Sequence, residues 1–358
     1  MKKAIALVLV IAALIAPVFA NAQQETAAAA AQQSRHLVIA TTYPNSTGTA
    51  APLNNQKAIY IFIDKLAELS GGLLTAEVSW GGALGTTTQL FSQVRQGTID
   101  MTMCGLDVLG SLKDAEDTNV FSVPYLFDDY DHIHRYINSD AFQKLAQKIE
   151  ASNGLKIIAD LGPGDPRNLN TVKPIKTVDD VKNLKIRVAE SPASIEMWKA
   201  WGANPVVISA SEIYSALENG LCDGWENSIT AFYKLKTVEP AHYISKIDYQ
   251  QQGVVVLIGT STYDSLTDQQ KAWIAEAFEA AYQHNMDETY GTGEYEKGAQ
   301  AIQIENMLAD PNFQGVFVED VDVESFRLKS LEVVKQFEGT LFSSGLVDDI
   351  RALSTKGN

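Results

Sequence analysis

The sequence predicts an α/β protein of two lobes, each with a mainly parallel sheet covered by helices. Three observations carry that prediction. Apolar runs with strand character alternate with amphipathic helical stretches, the order that gives a sheet helix-covered on both faces. The chain beyond residue 22 exceeds the ~250–300 residues that one hydrophobic core usually supports. Two segments also echo each other: FSQVRQGTIDM (91–101) and YSALENGLCDG (214–224) both place an aromatic, a Gly six residues on and an Asp three beyond that, as two similar lobes would.

Residues 1–22, MKKAIALVLVIAALIAPVFANA, read as a signal peptide. Lys2 and Lys3 precede an apolar run broken at Pro17, with small residues suited to cleavage at Ala20 or Ala22. The run is short for a ~20-residue membrane span. Residues 23–34 form a polar, Ala-rich leader. RHLVIATTY (35–43) reads as a strand, and the next helix places Ile59, Phe62, Leu66 and Leu69 on one face before Gly71 and Gly72 stop it. LLTAEVSW (73–80) is a strand. GGALG (81–85) leads into a helix closed by Gly97, and TIDMTMCGL (98–106) is the third strand.

A second lobe begins where the strand LKIIADLGPGDPRN (155–168) runs into a Gly- and Pro-rich turn. TVDD (177–180) caps a short helix before the strand LKIRV (184–188), and SPASIEMWKAWG (191–202) is a helix. Ser209 with Glu212, and later Thr267 with Gln270, have capping-box spacing. QQQGVVVLIGTSTY (250–263) is rich in β-branched residues and reads as a strand. The helical pattern that follows continues past Gly291 and Gly293 almost to Met307, long enough to be shared by both lobes and to bend at the glycines. The expected lobes are 35–162 with 253–293, and 163–252 with 294–358, joined by crossing strands around a cleft.

The chain carries a formal charge of −16, or −18 without Lys2 and Lys3. Such an acidic protein lacks the clustered Lys and Arg that neutralise phosphates, so nucleic acid is excluded as a partner. Cys104 and Cys222 read as buried small residues rather than a bridge. No G-x-S-x-G elbow, H-E-x-x-H helix or phosphate-cradling glycine loop is present. Glu226 and Asp223 are three apart across a Gly turn, a spacing that defines no acid–base geometry. His132 and His134 lie on opposite sides of a surface helix without ligand partners, so no metal or cofactor is expected.

An Arg on a strand is ordinarily solvated. In a helix-covered parallel sheet there is no solvated face, so Arg187, one place from the end of LKIRV, is expected at the rim of the crevice. Arg167 follows a strand end in the same way, and Trp225 and Asn227 follow the strand GLCD (220–223). Two guanidiniums at one rim of an acidic protein prepare it for a small anion, because the planar fork matches a carboxylate bidentately.

The run LKIRVAESPASIEMWKAWGANPVVISASEIYSALENGLCDGWEN (184–227) resembles the periplasmic solute-binding proteins of tripartite ATP-independent periplasmic (TRAP) transporters, dicarboxylate-binding type. GGALG, GTIDM and SVPYLF resemble the same family's first lobe. The resemblance implies a two-lobe periplasmic-binding-protein fold, a monomer that captures an organic acid and presents it to membrane permease subunits. It implies a receptor rather than an enzyme; a receptor serving a sensor protein, or, ranked lower, a periplasmic enzyme, is the alternative. It further implies that Arg187 clamps a carboxylate, that Arg167 is a second basic contact and that Asn227 supplies an amide. Thr42 and Thr87, with Tyr43 adjacent, match contacts in the first lobe. Trp225 stands where many members have Gln, and Ala210 where several have an aromatic, so the acid stays open: a dicarboxylate, a hydroxy or oxo acid, an aromatic acid or a sulfonate.

Overall fold

The computed structural model describes residues 34–45 and 54–356. The expected signal peptide and the leader up to residue 33 lie outside the described residues.

The chain starts as β1 (Arg35–Ala40), α1 (Asn54–Leu69), β2 (Leu74–Ser79), α2 (Thr87–Gln96) and β3 (Met101–Gly105). Helices α3 (Tyr130–Ile137) and α4 (Asp140–Asn153) lead to the long β4 (Leu155–Thr171). Then come β5 (Lys185–Val188), α5 (Pro192–Ala200), β6 (Asn204–Val207), α6 (Ile213–Glu218), β7 (Gly224–Asn227) and α7 (Ile229–Lys234). A second long strand, β8 (Tyr243–Gly259), precedes α8 (Thr260–Asp264), α9 (Asp268–Tyr290), α10 (Ala299–Ala309), β9 (Val316–Phe317), α11 (Val323–Phe337) and α12 (Leu346–Arg351).

Among the described residues all nine strands join one sheet, in the order β2-β1-β3-β8-β4-β7-β5-β6 with β9 alongside β8. The sheet is mixed overall, with five of its eight pairings parallel. Pairings within each lobe, such as β1 with β2 and β5 with β6, are parallel, while β4 and β8 run antiparallel to each other and to β7 and β3. These two 17-residue strands cross between the lobes. The expected turn after residue 161 is absent because β8 supplies hydrogen-bond partners along the whole of β4. The Gly- and Pro-rich stretch is absorbed as register slips, four of them between Ile157 and Leu169. Gly162 takes φ +86° there, and Asn285 of α9 donates to the carbonyls on either side, Leu161 O at 2.6 Å and Pro163 O at 3.0 Å.

Alternate residues of β8 enter different cores, as a strand's period of two requires. Val254, Val256 and Ile258 pack with Leu37, Ile39, Phe62 and Phe278, while Val255 and Leu257 pack with Phe121, Tyr136 and Phe142. Phe342, Val347 and Ile350 close the latter cluster from the end of the chain. Two further clusters serve the second lobe. One centres on Trp198 and Trp201, whose rings stand edge-on to each other (4.9 Å) and to Tyr249 (5.9 and 5.6 Å); the other centres on Trp225, Phe232 and Met307.

Other local expectations sort by their partners. Thr267 with Gln270 and Thr177 with Asp180 form reciprocal caps. Ser209 does not cap, and its hydroxyl meets that of Ser211 at 3.1 Å. The single helix expected to reach Met307 is two, because Gly291 adopts the left-handed conformation and closes α9. The strand expected over 220–223 lies instead at 224–227, where β4 and β5 pair with it from both sides. His132 is buried rather than on a surface helix, its Nε2 2.7 Å from Ile350 O, because the C-terminal segment covers α3. Both cysteines are free and buried.

Candidate functional site

A cleft of ≈ 580 Å³ lies where β3, β4, β5 and β7 meet, and Thr42, Tyr43, Thr87, Arg167, Arg187, Trp225 and Asn227 all line it. β5 carries Arg187 between Ile186 and Val188, both buried, with Val206 of β6 and Trp225 of β7 beside it in register. The side chain is 5 % exposed. Its Nε donates to Ile208 O at 2.8 Å, and among the described residues neither terminal nitrogen has a protein acceptor. Burial pulls its pKa down to about 10; Glu226 opposes that pull and the nearby charge of Arg167 adds to it. The guanidinium therefore remains a charged fork facing a cavity.

Arg167 has the opposite surroundings. Its Nη1 donates to both Glu226 oxygens, at 2.9 and 2.7 Å, and its Nη2 donates to Asp107 Oδ2 at 3.1 Å. Burial would lower its pKa, but the charges of Glu226 and Asp107 outweigh burial and raise it. Tyr249 Oη donates to Glu226 Oε2 at 2.8 Å, completing the network.

The remaining residues differ in what they leave free. Asn227 Oδ1 accepts from Ser228 N at 2.8 Å and from Gln252 Nε2 at 3.3 Å, and its amide nitrogen has no acceptor among the described residues. Trp225 Nε1 is bound to Asn170 Oδ1 and Thr237 Oγ1 at 3.1 and 3.0 Å, and the ring is fully buried in the second lobe's core, so it backs the cleft from beneath. Tyr43 sits close to Asp107, Arg167 and Arg187; burial first, then Asp107, hold its hydroxyl protonated, which makes it a donor. Thr86, not Thr87, caps α2, and Thr87 occupies the first helical position at the rim. Thr42 lies beside Gly82 on the same wall.

Sequence reasoning missed Asp107, Tyr249, Asp165 and Glu190, and set Glu226 aside. Asp165 lines the cleft and accepts from Thr230 Oγ1 at 2.6 Å; burial raises its pKa. Glu190 also lines it and accepts from Thr88 Oγ1 at 2.6 Å, a contact from the loop after β5 to α2 that joins the two lobes at the mouth. The usable signal for Asp107 was its place just beyond β3, a carboxylate at a strand end facing the crevice. Asp223, considered with Glu226, serves the fold instead by accepting from Lys185 N at 2.8 Å.

Comparison with known proteins gives a consistent picture. The model of bacterial extracellular solute-binding protein family 7 (DctP) matches residues 46–339. The 2,3-diketo-L-gulonate-binding periplasmic protein YiaO of Escherichia coli is 30% identical over 285 residues, covering 76% of this chain and 86% of that protein. A TRAP periplasmic solute-binding protein of Roseobacter denitrificans, solved with bound β-D-glucuronate, is 26% identical with a TM-score of 0.74, covering 89% of this chain and 99% of that one. Another, from Actinobacillus succinogenes with bound L-galactonate, is 22% identical with a TM-score of 0.77 over 89% and 99% of the two chains. The fold with its interlobe cleft and the match along most of the chain agree, and this protein belongs to bacterial extracellular solute-binding protein family 7.

Proposed function

We propose that the protein is an exported, periplasmic receptor that closes on a small organic acid in the interlobe cleft and delivers it to a TRAP permease, without chemically changing it. The observation that carries this reading is Arg187, a buried guanidinium whose terminal nitrogens face the cavity with no protein acceptor among the described residues. A buried cation of that kind is a poor choice for stability alone, and a carboxylate fits its fork bidentately. Tyr43 and Asn227 supply neutral donors to the ligand's other oxygens, Thr42 and Thr87 line the first-lobe rim, and the buried Trp225 ring supports the wall from behind. The relatives that bind a diketo-acid, a uronate and an aldonate support a carboxylate as the recognised group.

The lobes are divided near residues 162 and 253, where β4 slips against β8. The segment from 294 works with the second lobe up to α11, and the chain from about 338 returns to the first lobe, as the packing of Phe342 and Val347 against the Phe121 cluster supports.

A thermal-shift screen of organic acids followed by calorimetry tests the receptor reading. Removing one partner of a buried charge pair costs ~2–5 kcal/mol, roughly a thirtyfold to several-thousandfold loss of affinity. Arg187→Ala should lose that much, and Arg187→Lys much of it, because an ammonium keeps the charge but not the fork. Binding within a few-fold of wild type by Arg187→Ala would remove the basis of the reading. Mass spectrometry after incubation should return the acid unchanged; a product would replace the receptor with an enzyme.

A further inference from the structure

Asp107 comes from the chain just beyond β3, while Arg167 and Glu226 come from β4 and β7, so the carboxylate reaches Arg167 from the other lobe. It is 5 % exposed. Its Oδ2 takes Nη2 of Arg167 at 3.1 Å while Glu226 takes Nη1 with both oxygens. One positive charge therefore already faces two carboxylates. Among the described residues Arg167 and Arg187 are the only basic side chains lining the cleft, whereas Asp165, Glu190 and Glu212 line it as well as Asp107. A ligand with one carboxylate finds Arg187. A second carboxylate finds no cation that is not already held.

The other oxygen of Asp107, Oδ1, has no protein donor among the described residues and lies beside Gly105. A Cβ at that position would come within 2.2 Å of Oδ1 and 3.4 Å of Tyr43 Oη, so the glycine keeps this corner open. An acceptor and a phenolic hydroxyl, both without a partner among the described residues, thus flank one corner of the cleft, an arrangement that suits a hydroxyl able to donate and accept.

We infer that Asp107 is an internal stand-in for a ligand's second carboxylate: by occupying Arg167 it restricts the cleft to monocarboxylates bearing hydroxyls and rejects the dicarboxylates of the same length. The inference rests on the receptor reading above and specifies its ligand class. A second carboxylate would either displace Asp107 from Arg167, leaving a buried acid unpaired, or lie against it unpaired itself. A hydroxyl at the same place is accepted by Asp107 without either penalty.

Matched pairs that differ only at the far carbon test this. Calorimetry would compare D-galactonate with galactarate, D-gluconate with D-glucarate, the corresponding uronates, and L-threonate with L-tartrate, on wild type, Asp107→Asn, Asp107→Ser and Arg187→Ala. Wild type should bind at least one monocarboxylate tenfold or more tighter than its dicarboxylate partner. In Asp107→Asn that preference should shrink at least tenfold or reverse, because Arg167 then faces Glu226 as its one carboxylate partner and the carboxylate that would repel a second acid is neutralised. Asp107→Ser gives the same comparison should the Asn variant fail to fold as judged by its melting curve. Wild type binding a dicarboxylate as tightly as its partner, with binding lost in Arg187→Ala, overturns this inference and leaves the receptor reading intact. An unchanged preference in the folded Asp107 variants also overturns it. If wild type binds neither series while the organic-acid screen finds another ligand, the inference falls and the receptor reading stands; if the screen also finds no acid, both fall.

Discussion

Arg167 and Arg187 are the same residue type at nearly the same depth, 7 and 5 % exposed, and their neighbours give them opposite energetics. Arg167 is held by two acids. Removing it strands Glu226 and Asp107 in the interior, and breaking a buried pair in this way costs ~3–5 kcal/mol. Arg167→Met should therefore unfold at much lower urea concentration than wild type even without ligand. Among the described residues the Arg187 side chain has only the Ile208 carbonyl as a hydrogen-bond partner, and burial opposes its charge. Ligand-free Arg187→Met should unfold at nearly the wild-type urea concentration or above it, since relief of the buried charge offsets the lost bond of ~1.5–3 kcal/mol. It should also lose the stabilisation of about 2.7 kcal/mol that wild type gains from ligand at ~100 times its dissociation constant. Urea titrations of the two variants with and without ligand check both, and equal losses for the two would contradict the contrast. The sequence exposed Arg187 because the Ile186–Val188 alternation places it on a strand in a covered sheet. It hid the state of Arg167, because Asp107 and Glu226 lie 60 and 59 residues away and only the fold brings them together.

Among the elements, β4 was the hardest to read. Gly162, Pro163, Gly164 and Pro166 are breaker signals by any local rule, and the strand persists because its pairing comes from β8, far along the chain. Gly162→Ala should destabilise by ~1–2 kcal/mol, because a side chain resists the left-handed φ of +86° and its Cβ would crowd Asn285 Nδ2 at 3.0 Å. Chemical denaturation measures it. Just before this glycine, Asp160 accepts from Tyr130 Oη and Gly162 N, and His134 of α3 places its Nδ1 3.4 Å from Asp160 Oδ2 and 3.0 Å from Tyr282 Oη. The hydrogen bond to Asp160, aided by the charges of Asp160, Asp131 and Glu279 against partial burial, raises the His134 pKa. A raised folded-state pKa contributes stability that is fully present below the unfolded value near ~6.5 and is lost as pH rises through the folded value. The melting-temperature gap between wild type and His134→Gln should accordingly be larger at pH 5.5 than at pH 8.5. A constant gap would show that the pair carries no proton-linked stability.

For the molecule as a whole, two lobes joined by β4 and β8 and touching through Thr88 and Glu190 are expected to move against each other about a hinge. Small-angle scattering should show compaction when a saturating acid is added. Thr88→Val should speed ligand release in stopped flow while leaving the association rate nearly unchanged, because a mouth contact acts after entry. The two-lobe architecture was legible from chain length, alternation and the echo between 91–101 and 214–224. The mixed character of the sheet was not, since strand direction is set by which distant segments pair. The aromatic packing of the second lobe adds an optical consequence. Trp198 and Trp201 lean against Tyr249, whose hydroxyl is bound to the Glu226 that holds Arg167. A change of charge or hydration in the cleft is thereby passed to two indoles, so ligand capture should change the colour or intensity of tryptophan emission, and a fluorimeter can follow it on the unlabelled protein.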